Sequence, residues 1–472
     1  MKTEYTPTIG LEIHAELKTA TKMFCNSRNA HDDEHALPNT HVCPVCMGHP
    51  GTLPAVNRKA VESVIMVGLA LGGEIATYTE FDRKNYFYPD IPKGYQISQY
   101  AYPLVQKGEL NGVSITRVHL EEDTARSLHD QGEGSLVDYN RAGVPLMELV
   151  TEPVIHDAKT AGDFARELQL LLRTLGVSDA HMEKGQMRVE ANISVGKGGV
   201  LGTKVEVKNL NSFKSVESAI VYEIERQIEL IEEGGAVAQE TRGWDEDRQK
   251  TFSQRKKESS HDYRYFPDPD IPKINLSVGN VIDISRINEI MPETPINKRK
   301  RYTNLGIPSN QVEVLISNIE LGNLFEDAVA SAGKERMILT ASYITSDVQG
   351  LLAGAGQLSL AGSNPKALGA LMELLEKGEI TSRVAKDLLK EVVFDGADPR
   401  ELVSARGLGQ LDTGSLEKIV GEVVAEYAAA VSEYKNGKTT AIQFLVGQCM
   451  RASRGAGNPE TFRRLLEIEL SN

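Results

Sequence analysis

The 472-residue sequence has little cysteine and no long hydrophobic run. Four cysteines in a chain of this length do not build the disulfide framework of a secreted domain. The longest apolar stretch of the first half runs from Ser63 to Gly73, whereas a membrane span needs about 20 residues. The first residues include Glu4 and lack the apolar core of a signal peptide. We therefore expect a cytoplasmic protein without a membrane segment.

Glycine-rich nucleotide-binding loops are also missing. The sequence has no G-x-x-x-x-G-K-[ST] segment, and no G-x-G-x-x-G motif links a predicted strand to a helix. The G-x-S-x-G turn of α/β-hydrolases is absent too. If the protein uses ATP, it must bind it on a sheet of acidic side chains and not in a glycine cradle.

Positive charge is scarce overall but concentrated near the C-terminus. The chain has 52 basic and 66 acidic residues, for a net charge of −14, which argues against general nucleic-acid coating. The segment Lys435–Arg464 reverses this sign, with six basic residues against Glu460 alone, a net +5. Such a local reversal is compatible with a basic binding site.

The pattern of residues predicts an α+β protein. Up to about residue 290, short strand patterns alternate with turn signals, and two helical patterns interrupt them around Leu168 and Ile224. After Glu293, Ala, Leu, Glu and Lys dominate and strand patterns vanish. Gly396 interrupts the helical sequence near residues 395–398. We predict a sheet domain over 1–293, a helical domain over 294–397 and a tail domain over 398–472.

Several predicted strands carry an unusually ionisable face. In Ile9–Leu17 the odd-numbered positions are apolar, and alternation puts Glu12, His14 and Glu16 together on the other face. Three further segments split in the same way, with polar faces formed by Arg117, His119, Glu121 and Asp123, by Arg188, Glu190, Asn192 and Ser194, and by Lys204, Glu206 and Lys208.

Four such strands predict an antiparallel sheet with one face on the helices and the other lined by charged groups. Carboxylate oxygens are the ligands that Mg²⁺ requires, usually beside substrate phosphates, and Lys and Arg supply charge for those phosphates. The alternative is that each polar face is only solvated. Strand register is invisible in the sequence, so both interpretations stay open at this point.

The cysteines suggest a second metal site. Cys43 and Cys46 have C-x₂-C spacing and Cys25 lies upstream, a pattern that suits tetrahedral zinc with four ligands. Several histidines are near, namely His31, His35, His41 and His49. The alternative is free thiols in a reduced compartment. Cys449 lies in a helical, apolar context that predicts a core residue.

A set of ordered motifs resembles the family of B subunits of aspartyl/glutamyl-tRNA amidotransferases. The resemblance covers essentially the whole chain. The motifs are Ile9-Gly-Leu-Glu-Ile-His-Ala-Glu-Leu-Lys-Thr19, Arg83-Lys-Asn-Tyr-Phe-Tyr-Pro-Asp90, Lys93-Gly-Tyr-Gln-Ile-Ser-Gln99, His119-Leu-Glu-Glu-Asp123, Asn140-Arg-Ala-Gly-Val-Pro-Leu-Met-Glu148, Val207-Lys-Asn-Leu-Asn-Ser-Phe213, Asp262-Tyr-Arg-Tyr-Phe-Pro267, Phe444-Leu-Val-Gly-Gln448 and Ser453-Arg-Gly-Ala-Gly-Asn-Pro459.

This resemblance implies a function. Members form a heterotrimer with an amidase and a small third protein, and they correct mischarged Asp-tRNA(Asn) or Glu-tRNA(Gln). The B subunit uses Mg²⁺ and ATP to phosphorylate the side-chain carboxylate of the mischarged amino acid, and ammonia from the amidase displaces the phosphate. The resemblance also implies a cradle domain similar in fold to glutamine synthetase and guanidino kinases, followed by helical and tail domains that hold the tRNA.

The resemblance extends to individual residues. The catalytic, Mg²⁺-binding positions correspond to Glu12, His14, Glu121, Glu122 and Glu190. Glu122 points away from Glu121 in a regular strand, so both face the site only at a bulge or strand end. The predicted ATP-binding residues are Arg83, Lys84, Lys204, Glu206 and Lys208. The predicted tRNA-binding residues of the tail are Lys435, Lys438, Arg451, Arg454 and Arg463.

The zinc site departs from the family pattern. Many members carry C-x-C before the C-x₂-C pair, which gives four thiolates, whereas this chain has Ser27 at the second position. Cys25, Cys43 and Cys46 are therefore the predicted zinc ligands, with a histidine in the fourth place or zinc weakened or lost.

Two other functions compete with a role in the amidotransferase. One is a tRNA-binding module without chemistry, which the retained acidic residues disfavour. The other is a stand-alone carboxylate–amine ligase of the glutamine synthetase type, which has no need of the basic C-terminal segment.

Overall fold

The chain folds as two units, Met1–Pro295 and Ile296–Asn472. The computed structural model describes residues 5–29, 35–128, 134–256, 263–277, 282–354, 358–409, 413–453 and 456–471. The first unit contains the β-sheets, and the second is built from helices. This confirms the predicted order of an N-terminal sheet domain and a C-terminal helical part. No helix in the described ranges is long and apolar enough to cross a membrane.

A ten-stranded sheet forms the centre of the first unit. In spatial order its main path runs through β15 (Lys250–Lys256), β14 (Glu240–Asp245), β13 (Val205–Leu210), β12 (Met187–Lys197), β1 (Tyr5–Glu16), β11 (Pro145–Thr151), β8 (Val113–Glu122), β6 (Val105–Gln106) and β2 (Glu74–Ile75). Strand β7 (Glu109–Leu110) pairs with β8 off this path. Strands β13 and β14 pair in parallel, and the other neighbouring strands pair antiparallel. The four predicted polar-faced strands all form in this sheet, as β1, β8, β12 and β13.

Smaller sheets lie beside the central one. The three-stranded sheet consists of β16 (Phe266–Pro267), β4 (Asp82–Asn85) and β5 (Tyr95–Ser98). Two antiparallel two-stranded sheets pair β9 (Arg126–Leu128) with β10 (Leu136–Asp138) and β3 (Tyr78–Thr79) with β17 (Ile274–Asn275). Strand β4 carries Arg83 and Lys84, two of the predicted ATP-binding residues.

Helices α1 (Arg58–Ala70), α2 (Ala158–Thr174) and α3 (Phe213–Glu232) pack on the central sheet. Helix α4 (Ile284–Ile290) packs on α1. Helices α2 and α3 correspond to the two predicted helical patterns. Each begins at a side-chain cap, because Asp157 accepts from the Thr160 amide and Ser212 from the Ser215 amide. Helix α3 packs on β12, so the ionisable face of the sheet points away from it.

The second unit consists of helices. They are α5 (Pro295–Asn304), α6 (Ser309–Ser317), α7 (Ile319–Ala332), α8 (Met337–Tyr343), α9 (Gln349–Gly354), α10 (Pro365–Glu376), α11 (Ser382–Phe394), α12 (Pro399–Arg406), α13 (Thr413–Glu426), α14 (Ala428–Lys435), α15 (Ala441–Ala452) and α16 (Pro459–Ser471). A core that includes Val420, Leu445, Phe462 and Leu466 joins α13, α15 and α16. Cys449 is fully buried in this core, as predicted.

Candidate active site

Strand register assembles the ionisable face of the central sheet. Strand β1 pairs with β12 so that Glu12 lies opposite Glu190 and His14 opposite Arg188. On its other side, β1 pairs with β11 and places His14 opposite Glu148. Three adjacent strands thus present their charged side chains at one place, and β8 adds a fourth.

Glu148 lies at the centre of this group. Its Oε2 atom is 3.4 Å from Nε2 of His14, and that nitrogen is 3.5 Å from Oε1 of Glu121. His119 on β8 is paired with Glu148 in register and brings Nε2 within 3.5 Å of the same carboxylate. Glu148 is therefore shared by two sets of side chains.

These side chains form three overlapping sets with the composition of cation sites. The ligand atoms in each set lie within 4.8 Å of one another. The sets are Glu12, His14 and Glu148; His119, Glu121 and Glu148; and Glu12, Glu190 and Glu206. Such a density of carboxylate oxygens suits Mg²⁺, which prefers oxygen ligands and keeps places for water and phosphate.

Burial and mutual repulsion or attraction shift the pKa values of these side chains strongly. Burial raises the pKa of Glu12 to about 7, and Glu148 and Glu190 add to the shift. Burial works against a charged His14, but the hydrogen bond and charge of Glu148 and the charge of Glu121 outweigh it and raise its pKa to about 9. Burial lowers the pKa of His119 to about 4. A divalent cation would relieve the repulsion among the carboxylates, so the residues fit such an ion.

Two of the predicted phosphate-binding lysines lie in this site. Lys208 places Nζ 2.9 Å from Oε2 of Glu190. Burial lowers the pKa of Lys84, yet the charges of Glu121 and other neighbours outweigh it and raise that pKa. Both lysines line a cavity of about 390 Å³, here called the catalytic cavity, together with Glu12, His14, Tyr86, Glu121, Asp123, Arg188, Glu190 and Asn211. Glu206 lies beside Lys208, at 3.7 Å.

Four of the predicted catalytic and ATP-binding residues do not line this cavity, and of these Glu206 still lies beside Glu12 and Glu190. Glu122 points to the opposite face of β8 because the strand is regular there, and it binds Nζ of Lys93 at 2.5 Å and the Ile97 amide at 2.9 Å. Arg83 points away from Lys84 and forms ion pairs with Asp268 and Asp270, at 2.7 and 2.9 Å. Lys204 is exposed just before β13 begins and does not line the cavity.

Glu148 is the central residue that the strand analysis missed. Strand β11 has the sequence Pro-Leu-Met-Glu-Leu-Val-Thr and is buried along almost its whole length, so it shows no polar face. The sequence does show one indication, a single carboxylate in the middle of an apolar segment. A buried carboxylate is rare unless it is paired.

A second cavity adjoins the first. It has a volume of about 670 Å³ and is mainly polar, with a lining that includes Glu16, Arg126, Asp138, Asn140, Arg141, Lys184 and Asn211. Asn211 lines both cavities. At the boundary, Asp123 forms an ion pair with Arg188 at 3.0 Å, and Arg188, with Arg141 second, holds the pKa of this buried carboxyl at about 2 against the effect of burial.

The thiols form a separate cluster. Cys25, Cys43 and Cys46 bring their sulfur atoms within 4.8 Å of one another. The Cys43–Cys46 distance of 3.8 Å is close to the edge of a tetrahedron with Zn–S bonds of about 2.3 Å. Oγ of Ser27 lies 3.9 Å from the Cys46 sulfur, at a comparable separation. The three thiols therefore fit three of the four positions of a zinc site, and no histidine joins the cluster among the described residues.

A buried lysine accompanies the thiols. Nζ of Lys22 lies 3.8 Å from the Cys46 sulfur and donates to the Ala142 carbonyl at 2.7 Å. The hydrogen bond from Cys25 and then the charge of Lys22 lower the pKa of Cys46 to about 4. Lys22 thus offsets negative charge on the cluster.

The predicted tail cations lie on exposed surfaces. Lys435 ends α14, Lys438 follows it and pairs with Glu433 at 2.8 Å, and Arg451 and Arg463 lie on α15 and α16. Arg454 lies outside the described residues.

The sequence matches two domain families. Residues 7–281 match the GatB/GatE catalytic domain, and residues 323–470 match the GatB domain. The first unit is thus a catalytic domain of this class, built on a carboxylate-lined sheet.

Full-length relatives give the family. The chain is 42% identical to a protein of Gloeothece citriformis over 100% of this chain and 98% of the relative. It is 43% identical to one of Carboxydothermus hydrogenoformans over 99% of both chains, and 46% identical to one of Thermus thermophilus over 98% of both. Each is the B subunit of an aspartyl/glutamyl-tRNA(Asn/Gln) amidotransferase. The chain belongs to this family, whose members are parts of a glutamine-dependent ligase.

Proposed function

We propose that this chain activates the side-chain carboxylate of mischarged Asp-tRNA(Asn) or Glu-tRNA(Gln) with ATP and then directs its amidation. It would work in the cytoplasm, in a heterotrimer with an amidase and a small third protein. The observation that carries the proposal is the register-built group around Glu148, together with Lys84 and Lys208 in one cavity. This composition suits phosphoryl transfer between two anionic partners.

The chemistry explains why such a group is needed. In the first step a carboxylate oxygen of the substrate bonds to the γ-phosphorus of ATP, the bond to ADP breaks, and an acyl phosphate forms. In the second step the ammonia nitrogen bonds to the acyl carbon, phosphate leaves and a proton is released. Bound Mg²⁺ would neutralise charge on the phosphates and on the approaching carboxylate.

The residues of the chain have distinct parts in this scheme. Glu12, Glu190 and Glu206, with Glu148 and Glu121, would hold the cations. His14, positively charged at neutral pH by its raised pKa, would keep Glu148 ionised and oriented. Lys84 and Lys208 would face the phosphate oxygens.

Other parts of the proposal concern binding. The exposed cations of α14–α16 and the following loops would contact tRNA phosphates, and Cys25, Cys43 and Cys46 would hold a structural zinc ion. The family resemblance supports a cradle similar in fold to glutamine synthetase and guanidino kinases.

A phosphoryl-transfer assay tests the function. The assembled heterotrimer is given γ-labelled ATP and mischarged tRNA, without glutamine or ammonia. We expect label on the aminoacyl-tRNA, and none with correctly charged tRNA. Label on free aspartate or glutamate would instead support a stand-alone ligase, and tRNA binding without transfer would support a binding module.

A further inference from the structure

The wall between the two cavities carries an acidic pair that the reaction scheme does not use. Glu16 lies on the same face of β1 as Glu12 and His14 and lines the second cavity. Asp123 follows β8 and lines the catalytic cavity. Both side chains are buried, with 8% and 4% of their surface exposed.

Asp123 is only half satisfied. Its Oδ1 atom accepts from Arg188 at 3.0 Å and from the Thr124 amide at 2.8 Å. Its Oδ2 atom has no hydrogen-bond partner among the described residues, since Nε of Arg141 is 3.6 Å away and donates to the Thr124 carbonyl instead. A buried carboxylate oxygen is costly without a donor, and the neighbouring Glu16 supplies one only in its protonated form, so an ammonium group can take the place of that proton.

The side chain of Arg188 lies on the catalytic-cavity side of this wall. It lies opposite His14 in register, next to the Glu12–Glu190 pair, and lines the catalytic cavity. Within the described part of the chain its side chain makes one hydrogen bond, to Asp123, which fixes the guanidinium and leaves most of its N–H groups directed elsewhere. A guanidinium held in this way is suited to bind a carboxylate.

We propose that the second cavity receives the aminoacyl end of the mischarged tRNA, with Glu16 and Asp123 binding the α-ammonium group and Arg188 binding the side-chain carboxylate. This inference rests on the proposed function. An acidic amino acid esterified to tRNA has one ammonium group and one carboxylate, which matches one acidic pair and one outward guanidinium. Its carboxylate at Arg188 would lie beside the carboxylates proposed to hold the cations. The ester and nucleotides would occupy the second cavity, near Arg126 and Lys184.

Blocking the α-ammonium group tests the acidic pair. N-acetylation of the aminoacyl group removes the charge and leaves the side chain intact. For the wild-type complex we expect kcat/KM for amidation to fall roughly 10- to 100-fold with the N-acetylated substrate, the scale of one hydrogen bond to a charged group. In Glu16→Gln the same modification should cost less than about threefold, because its partner is already lost.

The matched control is Glu152→Gln, since Glu152 accepts from Thr116 and lines neither cavity. It should retain the full wild-type penalty. Equal use of both substrates by the wild type, or an undiminished penalty in Glu16→Gln with unchanged thermal stability, would overturn the proposal.

Arg188→Lys gives a second readout. We expect the KM for mischarged tRNA to rise roughly tenfold, with the KM for ATP within twofold, because lysine loses the planar fork. A rise confined to the KM for ATP would instead assign this wall to the nucleotide and overturn the inference. A failure of the proposed function is distinguishable, because then the wild-type complex would transfer no phosphate to any mischarged tRNA.

Discussion

The carboxylate face of the sheet and the basic C-terminal helices show two ways of placing charge. Around Glu148 the ionisable groups are buried, come from three strands and lie within 3.5 Å of their neighbours. On α14–α16 the cations are exposed and spread over separate elements. Burial makes charges strongly interdependent, whereas exposed charges are screened and act nearly independently.

This contrast separates chemistry from affinity. Changing one buried group should disturb the whole cluster, because its neighbours lose their partner in a medium of low polarity. Changing one exposed cation should remove one phosphate contact and little else. The predictions below are arranged to sharpen or break this contrast, from the largest effect to the smallest.

The largest effect is expected for Glu12→Gln. Glu12 belongs to two of the three cation-type sets, so its loss weakens both. We expect the rate of phosphoryl transfer to fall at least ~100-fold, the upper end of losses seen even for outer partners of metal sites. Filter-binding affinity for mischarged tRNA should stay within a few-fold. A normal transfer rate would show that Glu12 does not serve the site.

The second prediction concerns pH and cations. The pKa of His14 is about 9 in the folded protein, compared with 6.5 in the unfolded chain. Between these pH values His14 is protonated in the folded state and neutral in the unfolded state. The stabilisation is full below pH 6.5 and is lost as pH rises to 9. Burial and then Asp123 raise the pKa of Glu16 from 4.5 to about 8, so this group also lowers stability as pH rises, between about pH 4.5 and 8.

Thermal unfolding measures this effect. Without divalent cations, the Tm of the sheet unit should fall by several degrees between pH 7 and 9, and His14→Gln should flatten that slope. Millimolar Mg²⁺ should raise the Tm most at the alkaline end, where protons no longer compete with Mg²⁺ for the carboxylates. A Mg²⁺ effect that is equal at both pH values would contradict this account.

The third prediction concerns the tail. Truncation after Glu433 would remove α15 and α16 and with them most of the core around Phe462, so substitutions test the cations more cleanly. The triple variant Lys435→Ala, Arg451→Ala and Arg463→Ala should weaken tRNA binding. It should also make the dependence of log K on log salt shallower by about 2 to 3, since each phosphate contact contributes roughly 0.7 to 0.9.

Transfer chemistry provides the control for this variant. At saturating tRNA its rate of phosphoryl transfer should match the wild type. An unchanged salt slope would mean that these cations are only a solvated helix face. A lower rate at saturating tRNA would show that the tail cations also affect the chemical step.

The smallest effect is expected at the thiol cluster. Elemental analysis of the reduced protein should find about one zinc per chain, lost in Cys46→Ser with a Tm lower by a few degrees. Ser27→Cys should hold zinc more tightly against a chelator, because a fourth thiolate completes the tetrahedron. Wild-type protein and Ser27→Cys both free of zinc would contradict the zinc proposal.

Much of this arrangement follows from local sequence pattern. Period-two alternation correctly put Glu12 with His14, and Glu121 on the face opposite to Glu122, because a strand's geometry is set residue by residue. Helices α2 and α3 were equally readable from their spacing. Local signals of this kind need no knowledge of distant neighbours.

What could not be predicted depends on long-range contacts. The pairing of Glu12 with Glu190 and of His14 with Glu148 is a matter of register between segments more than 100 residues apart. Arg83 was predicted to bind phosphate, but its charge is neutralised by Asp268 and Asp270, which lie 185 and 187 residues further along the chain. Glu148 stayed hidden because both faces of its strand are buried.

The most direct test of the account is single-turnover phosphoryl transfer from ATP to mischarged tRNA with Glu148→Gln, compared with Glu152→Gln just beyond the end of the same strand. The central claim is that register around Glu148 creates the catalytic group. It predicts at least ~100-fold slower transfer in Glu148→Gln with tRNA affinity retained, and wild-type transfer in Glu152→Gln. Transfer within a few-fold of wild type in Glu148→Gln would contradict it.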